Sequence, residues 1–209
     1  MHGSWPWRPL SLTKSRGLLP RSTWSKGTLP RFLIHISLTG LQIVIPRSPI
    51  QAKGLLLASI REQCPTLFFE PKILYRSAVE QVPVDDFTLP LSKIETLIPG
   101  SDLTVLSYGT PIYSCETAIS LLNTPPPELD REDLVPKGIR GAKIELIDLR
   151  TIVPWDMEGV MESVKRTGRL VIVHEAGRTG GVGAEIATEV QKRLFLRLEA
   201  PVKIVAGWE

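Results

Sequence analysis

A chain of 209 residues has room for one ordinary domain, or for one domain and part of another. With 43% hydrophobic and 22% charged residues it has the composition of a protein that buries a core, which argues against wholesale disorder and against a membrane bundle. The net charge of +3 hides a gradient: nine of the 25 basic residues and none of the 22 acids precede Glu62, so residues 62–209 carry −6, and a basic front with few aromatic side chains arranged beside it is a poor nucleic-acid surface.

Residues 1–40 form the basic piece. Six Lys or Arg, many Ser and Thr and no acid over residues 1–31 match the composition of a mitochondrial import sequence. The same residues also read as an unmatched tail, because Pro6, Pro9, Pro20 and Pro30 interrupt any amphipathic helix. The most apolar stretch, Phe32 to Ile45, is broken by His35, Ser37, Thr39 and Gln42 and falls short of the about 20 apolar residues that span a bilayer.

Leu41 to Ile45 reads as a buried strand. Ser48 offers a helix cap and Pro49 the first helical position, with Ala52, Leu55, Leu56 and Ser59 on one face. Cys64-Pro65 ends that helix, and Thr66 to Phe69 is the next strand. A strand, helix and strand alone leave sheet edges and one face uncovered, so residues 41–90 are expected to be the tail end of an α/β domain, closed by a Pro-rich and acidic linker from Glu80 to Pro90.

A second series begins near Ser92. It runs as a strand at Leu103 to Tyr108, a helix capped by Thr110 with Ile112, Cys115, Ile119 and Leu122 on one face, and a strand at Ile144 to Leu149. Asp156 caps the next helix, in which Met157, Val160, Met161 and Val164 follow the i, i+3, i+4, i+7 spacing, with Lys165, Arg166 and then Gly168 at its end. A strand at Leu170 to Val173, a helix with Ile186, Ala187, Val190 and Leu194 inward, and a strand at Val202 to Val205 complete residues 91–209. The alternation predicts a doubly wound α/β domain with right-handed crossovers. Asn123 to Gly141, with its Pro125-Pro126-Pro127 run, interrupts the rhythm and reads as a tolerated insertion.

Chemistry is sparsely signalled. Cys64 and Cys115 form no CxxC or Cys/His spacing and suit a reducing compartment. The glycines of Gly177-Arg178-Thr179-Gly180-Gly181-Val182-Gly183 follow a strand and open a helix, which suits either an anion cradle or a tight connection. His174 stands at the carboxyl end of that strand, as a ligand or as a ring satisfied by nearby backbone. In the turn from Ser59 to Pro65 a helix must end and expose carbonyls; plain termination is the simpler reading, and coordination of a hard monovalent cation the other.

Several segments are distinctive as words: Ile45-Pro46-Arg47-Ser48-Pro49, Ala52-Lys53-Gly54-Leu55-Leu56, Phe68-Phe69-Glu70-Pro71-Lys72 running into Leu74-Tyr75-Arg76, Ile147-Asp148-Leu149-Arg150-Thr151-Ile152 with Pro154-Trp155-Asp156, and His174-Glu175-Ala176 with Thr179-Gly180-Gly181. Over residues 41–209 they resemble the beta subunits of the branched-chain 2-oxo acid dehydrogenases. The resemblance implies the end of a pyrimidine-binding-type α/β domain followed by a transketolase carboxyl-terminal-like domain that lacks its final segment. It implies an enzyme of the 3-methyl-2-oxobutanoate dehydrogenase type in the mitochondrial matrix, with thiamine diphosphate as cofactor, an alpha subunit, a second beta subunit and a lipoyl acyltransferase core as partners, and no membrane span. The glutamate that serves the aminopyrimidine ring in this family has no counterpart here, so no catalytic residue is nominated and the chain alone is expected to be inactive, or to serve as a non-catalytic assembly module. The family's structural potassium ion, bound through main-chain oxygens, maps onto Ser59, Glu62 and Cys64.

Overall fold

Local chemistry starts the first helix where the sequence places it. Ser48 keeps an extended backbone (φ −143°, ψ 162°) and its hydroxyl accepts the Gln51 amide at 3.4 Å, while Pro49 occupies the first turn, where its missing N–H leaves nothing unsatisfied. The helix α1 (Pro49–Arg61) joins β1 (Gln42–Val44) to a parallel β2 (Thr66–Phe68). The computed structural model describes residues 40–127, 129 and 137–207, so most of the basic front and much of the Pro-rich insertion lie outside the described residues.

One of the edges expected to be free in this small unit, that of β1, is paired. β6 (Thr151–Val153) lies antiparallel against β1, giving a three-stranded sheet in the order β2-β1-β6. The expected linker is not free either. It has no regular structure, yet it straps back along α1: Lys53 Nζ donates to the carbonyls of Pro83, Val84 and Asp85 and lies 5.2 Å from the Phe87 ring centre, and the Leu89 amide donates to Gly54 O at 3.1 Å.

The larger sheet has five strands in the order β3-β5-β4-β7-β8. β4 (Leu103–Ser107), β5 (Ile144–Asp148), β7 (Leu170–Gly177) and β8 (Lys203–Gly207) are mutually parallel, and β3 (Glu95–Ile98) is an antiparallel edge. Strand alternation sends Val105 and Leu146 to one face, where Ile112, Cys115 and Ile119 of α3 (Pro111–Asn123) cover them. Leu106 and Ile147 point to the other face, under Val160 and Val164 of α4 (Met157–Thr167) and Ile186 and Val190 of α5 (Val182–Leu194). Helices on both faces make the sheet doubly wound, as expected.

The caps of α4 are those read from the sequence. Asp156 accepts the Gly159 amide at 3.2 Å, and Gly168 adopts φ 68° with its amide on Val164 O at 2.8 Å. Thr110 departs from expectation. It has a helical backbone and makes no cap bond; its hydroxyl is held by the Glu175 carboxylate. Three short elements escape periodicity altogether: β3, β6 and α2 (Leu74–Ser77), each of three or four residues.

Candidate functional site

Ser59, Glu62 and Cys64 surround the C-terminal end of α1. The closing bond of the helix runs from the Glu62 amide to Ala58 O at 3.0 Å, so the carbonyls from Ser59 onward lie beyond the ladder. The Ser59 hydroxyl is given to Leu55 O (2.8 Å), the Glu62 carboxylate accepts the Gln63 amide (3.0 Å) and Cys64 O accepts the Thr66 hydroxyl (3.2 Å). Glu62 and Cys64 are exposed. Among the described residues no three His, Cys, Asp or Glu side chains gather to hold a metal ion. Main-chain oxygen is therefore the donor class this turn offers.

Sequence spacing does not announce a second arrangement, a buried polar cluster at the carboxyl end of β5. Asp148 is fully buried, with Arg47 Nε 3.1 Å from its Oδ2, and Gln51 Nε2 donates both to that oxygen (2.9 Å) and to Glu95 Oε2 (2.5 Å). Arg47 Nε is poorly aligned for a hydrogen bond, so the contact is an ion pair. Two residues on, Arg150 takes a left-handed backbone (φ 56°) that aims its amide at Asp148 Oδ1 (3.1 Å). Its guanidinium donates to the carbonyls of Lys93 (3.1 and 2.8 Å) and Ile94 (3.2 Å). Burial dominates the titration of Asp148 and pushes its carboxyl up to about 6, against the pull of Gln51, Arg47 and the Arg150 amide and with a further push from Glu95.

At the end of β7, His174 Nδ1 lies 2.9 Å from Ala176 O. A carbonyl only accepts, so the hydrogen sits on Nδ1, and in the neutral ring Nε2 turns a lone pair toward the first turn of α5. A Cβ on Gly183 would stand 2.4 Å from Nε2, and one on Gly181 would stand 3.0 Å from the ring. These glycines let the backbone close over the imidazole, whose lone pair faces the positive end of the helix. The tight-connection and backbone-satisfied readings thus describe the loop and His174. Tyr108 stacks beside the ring at 6.4 Å, and burial followed by Glu175 pushes its hydroxyl up to about 12. Gly183→Ala is expected to displace His174 and lower stability by about 1–3 kcal/mol. Urea titration checks this; an unchanged midpoint would contradict the packing.

A groove of about 790 Å³ opens where α1 and α3 begin, lined among others by Arg47, Ile73, Val79, Glu80, Tyr113 and Glu175. In chain order the four parallel strands stand second, first, third and fourth across the sheet, which puts the topological switch between β4 and β7. Thr110, just past the end of β4, and Glu175, among the last residues of β7, both line the groove.

Residues 92–209, more than half of the chain, match the family described as "Transketolase, C-terminal domain". The chain belongs to this family. Asp148, Arg150, His174 and the whole five-stranded sheet fall inside the transketolase C-terminal domain, whereas Arg47 and Gln51 come from outside it. The chain is 52% identical over 171 residues to the "2-oxoisovalerate dehydrogenase subunit beta, mitochondrial" of Chaetomium thermophilum, a match that covers 81% of this chain and 34% of the relative. It is 50% identical over 170 residues to the protein of the same name from Dictyostelium discoideum, covering 81% and 42%. The "Pyruvate dehydrogenase E1 component subunit beta" of Mycoplasma pneumoniae is 40% identical over 176 residues, covering 84% and 49%. The chain thus spans less than half the length of these relatives. The solved structure "Split gene transketolase, inactive beta4 tetramer" aligns with a TM-score of 0.61 at 21% identity, over 83% of this chain and 50% of that one, a likeness of fold.

Proposed function

We propose that this chain is a beta-subunit-type part of a mitochondrial branched-chain 2-oxo acid dehydrogenase, which decarboxylates branched-chain 2-oxo acids oxidatively and passes the acyl group to lipoyl groups. The observation that carries the reading is the 50–52% identity to mitochondrial subunits named for 2-oxoisovalerate, against 40% for the Mycoplasma pneumoniae subunit named for pyruvate and 39% for a Pseudomonas aeruginosa subunit named for 2-oxoisovalerate. It is supported by where the distinctive words fall: Arg47 of the first and Asp148 and Arg150 of the fourth meet in one buried cluster. The mitochondrial names of these relatives support the reading that the chain works in that organelle, in its matrix.

Thiamine diphosphate, the cofactor of that chemistry, does not fit the residues described. Its aminopyrimidine needs a carboxylate that is both buried and unengaged, yet buried Asp148 is engaged by Gln51 and Arg47 and buried Glu145 by Ser163 (2.7 Å) and Arg166 (2.5 Å), while Glu80 and Glu175 stand in solvent. Neither Asp148 nor Glu145 lines the groove. No step of the decarboxylation is assigned to a side chain of this protein, and the chain by itself is expected to be inactive. Calorimetric titration with thiamine diphosphate and magnesium should give no heat of binding; tight binding would overturn this.

A second reading, a non-catalytic module that docks on the alpha subunit or the acyltransferase core, is favoured by the large apolar side chains left in solvent: Ile60, Ile73, Tyr75, Val79 and Val84 are all at least 68% exposed. Co-purification with a full alpha subunit tests it, and failure to associate would count against it.

A structural potassium ion held by main-chain oxygens of Ser59, Glu62 and Cys64 suits the hard donors left at the end of α1. Melting should occur at higher temperature in KCl than in equimolar NaCl or choline chloride. Identical midpoints in the three salts would remove the ion from this turn.

A further inference from the structure

We infer that the groove at the topological switch is a docking site for a basic segment of a partner protein, anchored by apolar side chains. The inference deepens the docking reading, with which it shares Ile73 and Val79, and does not rest on the decarboxylase reading. Open α/β sheets take their ligands in the crevice beyond the carboxyl ends of the strands at this point, and about 790 Å³ is ample for several side chains. Its apolar wall is presented to water: Val79 is 96% exposed and Ile73 70%, and Tyr113 stands beside them. Tyr75 and Val84, outside the lining, are exposed apolar side chains as well.

Charge identifies the occupant. Glu80 and Glu175 line the groove and Glu116 is close enough to act on the Tyr113 hydroxyl, and none of the three is in an ion pair among the described residues. The guanidinium in the lining, that of Arg47, also acts on the Tyr113 hydroxyl, but its charge is already met by Asp148 (3.1 Å) and Glu95 (3.8 Å). The helix N-termini that open here are already met by carboxylates. Glu80 accepts the Ile50 amide of α1 at 2.9 Å, and Glu175 holds the Thr110 hydroxyl at the start of α3. A phosphate or an acidic segment therefore meets repulsion. A wholly apolar segment would strip water from carboxylates without pairing them. Lys or Arg beside an apolar anchor satisfies both surfaces.

The probe is a fluorescein-labelled peptide of alternating Leu and Lys, with a Leu and Glu counterpart, titrated with the full chain and followed by anisotropy. The Lys peptide is expected to bind saturably and the Glu peptide not at all. Affinity should fall about tenfold or more in Glu80→Gln/Glu175→Gln, with a shallower salt dependence, and should also fall in Val79→Ser. Glu158→Gln/Glu162→Gln, on α4 across the sheet, should leave it unchanged. All these positions are exposed, so the variants keep the core intact. The inference is overturned if the Lys peptide does not bind, if the Glu peptide binds equally, or if the groove variants match the α4 control. It is also overturned if octylammonium chloride alone saturates the groove and displaces the peptide with equal affinity, which would make this a small-cation site.

Discussion

In Asp148→Asn, stability is expected to lose most of the decline that the parent chain shows between about pH 4 and about pH 6. Burial raises the folded carboxyl to about 6 from an ordinary 3.8, so in that interval the folded chain holds a proton that the unfolded chain has released. Folding is then proton-linked, and stability falls as pH rises. Above about pH 6 the full penalty stands, on the order of 2–3 kcal/mol for a shift of roughly two units. The groups facing the carboxylate are Arg47 and Gln51 from the start of α1, Glu95 from β3 and the Arg150 amide. An amide in place of the carboxylate removes the titration and leaves Arg47 its contact with Glu95 at 3.8 Å. Urea unfolding of both chains across this pH range is the measurement. The stability difference should shift in favour of the variant as pH rises; parallel curves would mean that Asp148 does not titrate in this window.

Gly100→Ala should be more damaging still, by about 3 kcal/mol or more. Gly100 separates β3 from β4 and passes directly over β5: a Cβ there would stand 2.3 Å from Glu145 N and 2.4 Å from both Ile144 C and Lys143 O. Those atoms are backbone, held in register with β4 by the pairing of Leu103 with Ile144, so neither side yields without breaking the ladder. Gly138→Ala is the control, since its Cβ meets nothing within 4 Å, and it should stay within about 0.5 kcal/mol of the parent. Near-ultraviolet circular dichroism and urea titration would show the contrast. If both variants behave alike, the close approach of Gly100 to β5 is wrong.

These two sites mark how far the sequence could be read. α1 and α4 carry their instructions locally: Ser48-Pro49 and Asp156 begin them, Gly168 ends the second, and their buried faces recur at helical spacing. The strands Leu103–Ser107 and Ile144–Asp148 place apolar residues on both faces, which announces burial on both sides despite Thr104, Glu145 and Asp148. Thr110 shows the limit of local reasoning. It has the chemistry of a cap, but Glu175, 65 residues away, takes its hydroxyl. The acid-rich stretch from Glu80 to Pro90 has the composition of a linker, yet the Lys53 ammonium and the Gly54 carbonyl hold it against α1.

By itself, then, the sequence determined the elements whose signals lie within a few residues of one another, the doubly wound class they build, and through its distinctive words the family to which residues 92–209 belong. The tertiary structure alone decided which elements share an edge and which charges meet. β6 against β1, Arg47 against Asp148 and the acid-rimmed groove between α1 and α3 all join residues far apart in the chain. Such contacts leave no periodicity in the sequence, because periodicity records only which face of an element turns inward and not what it meets there.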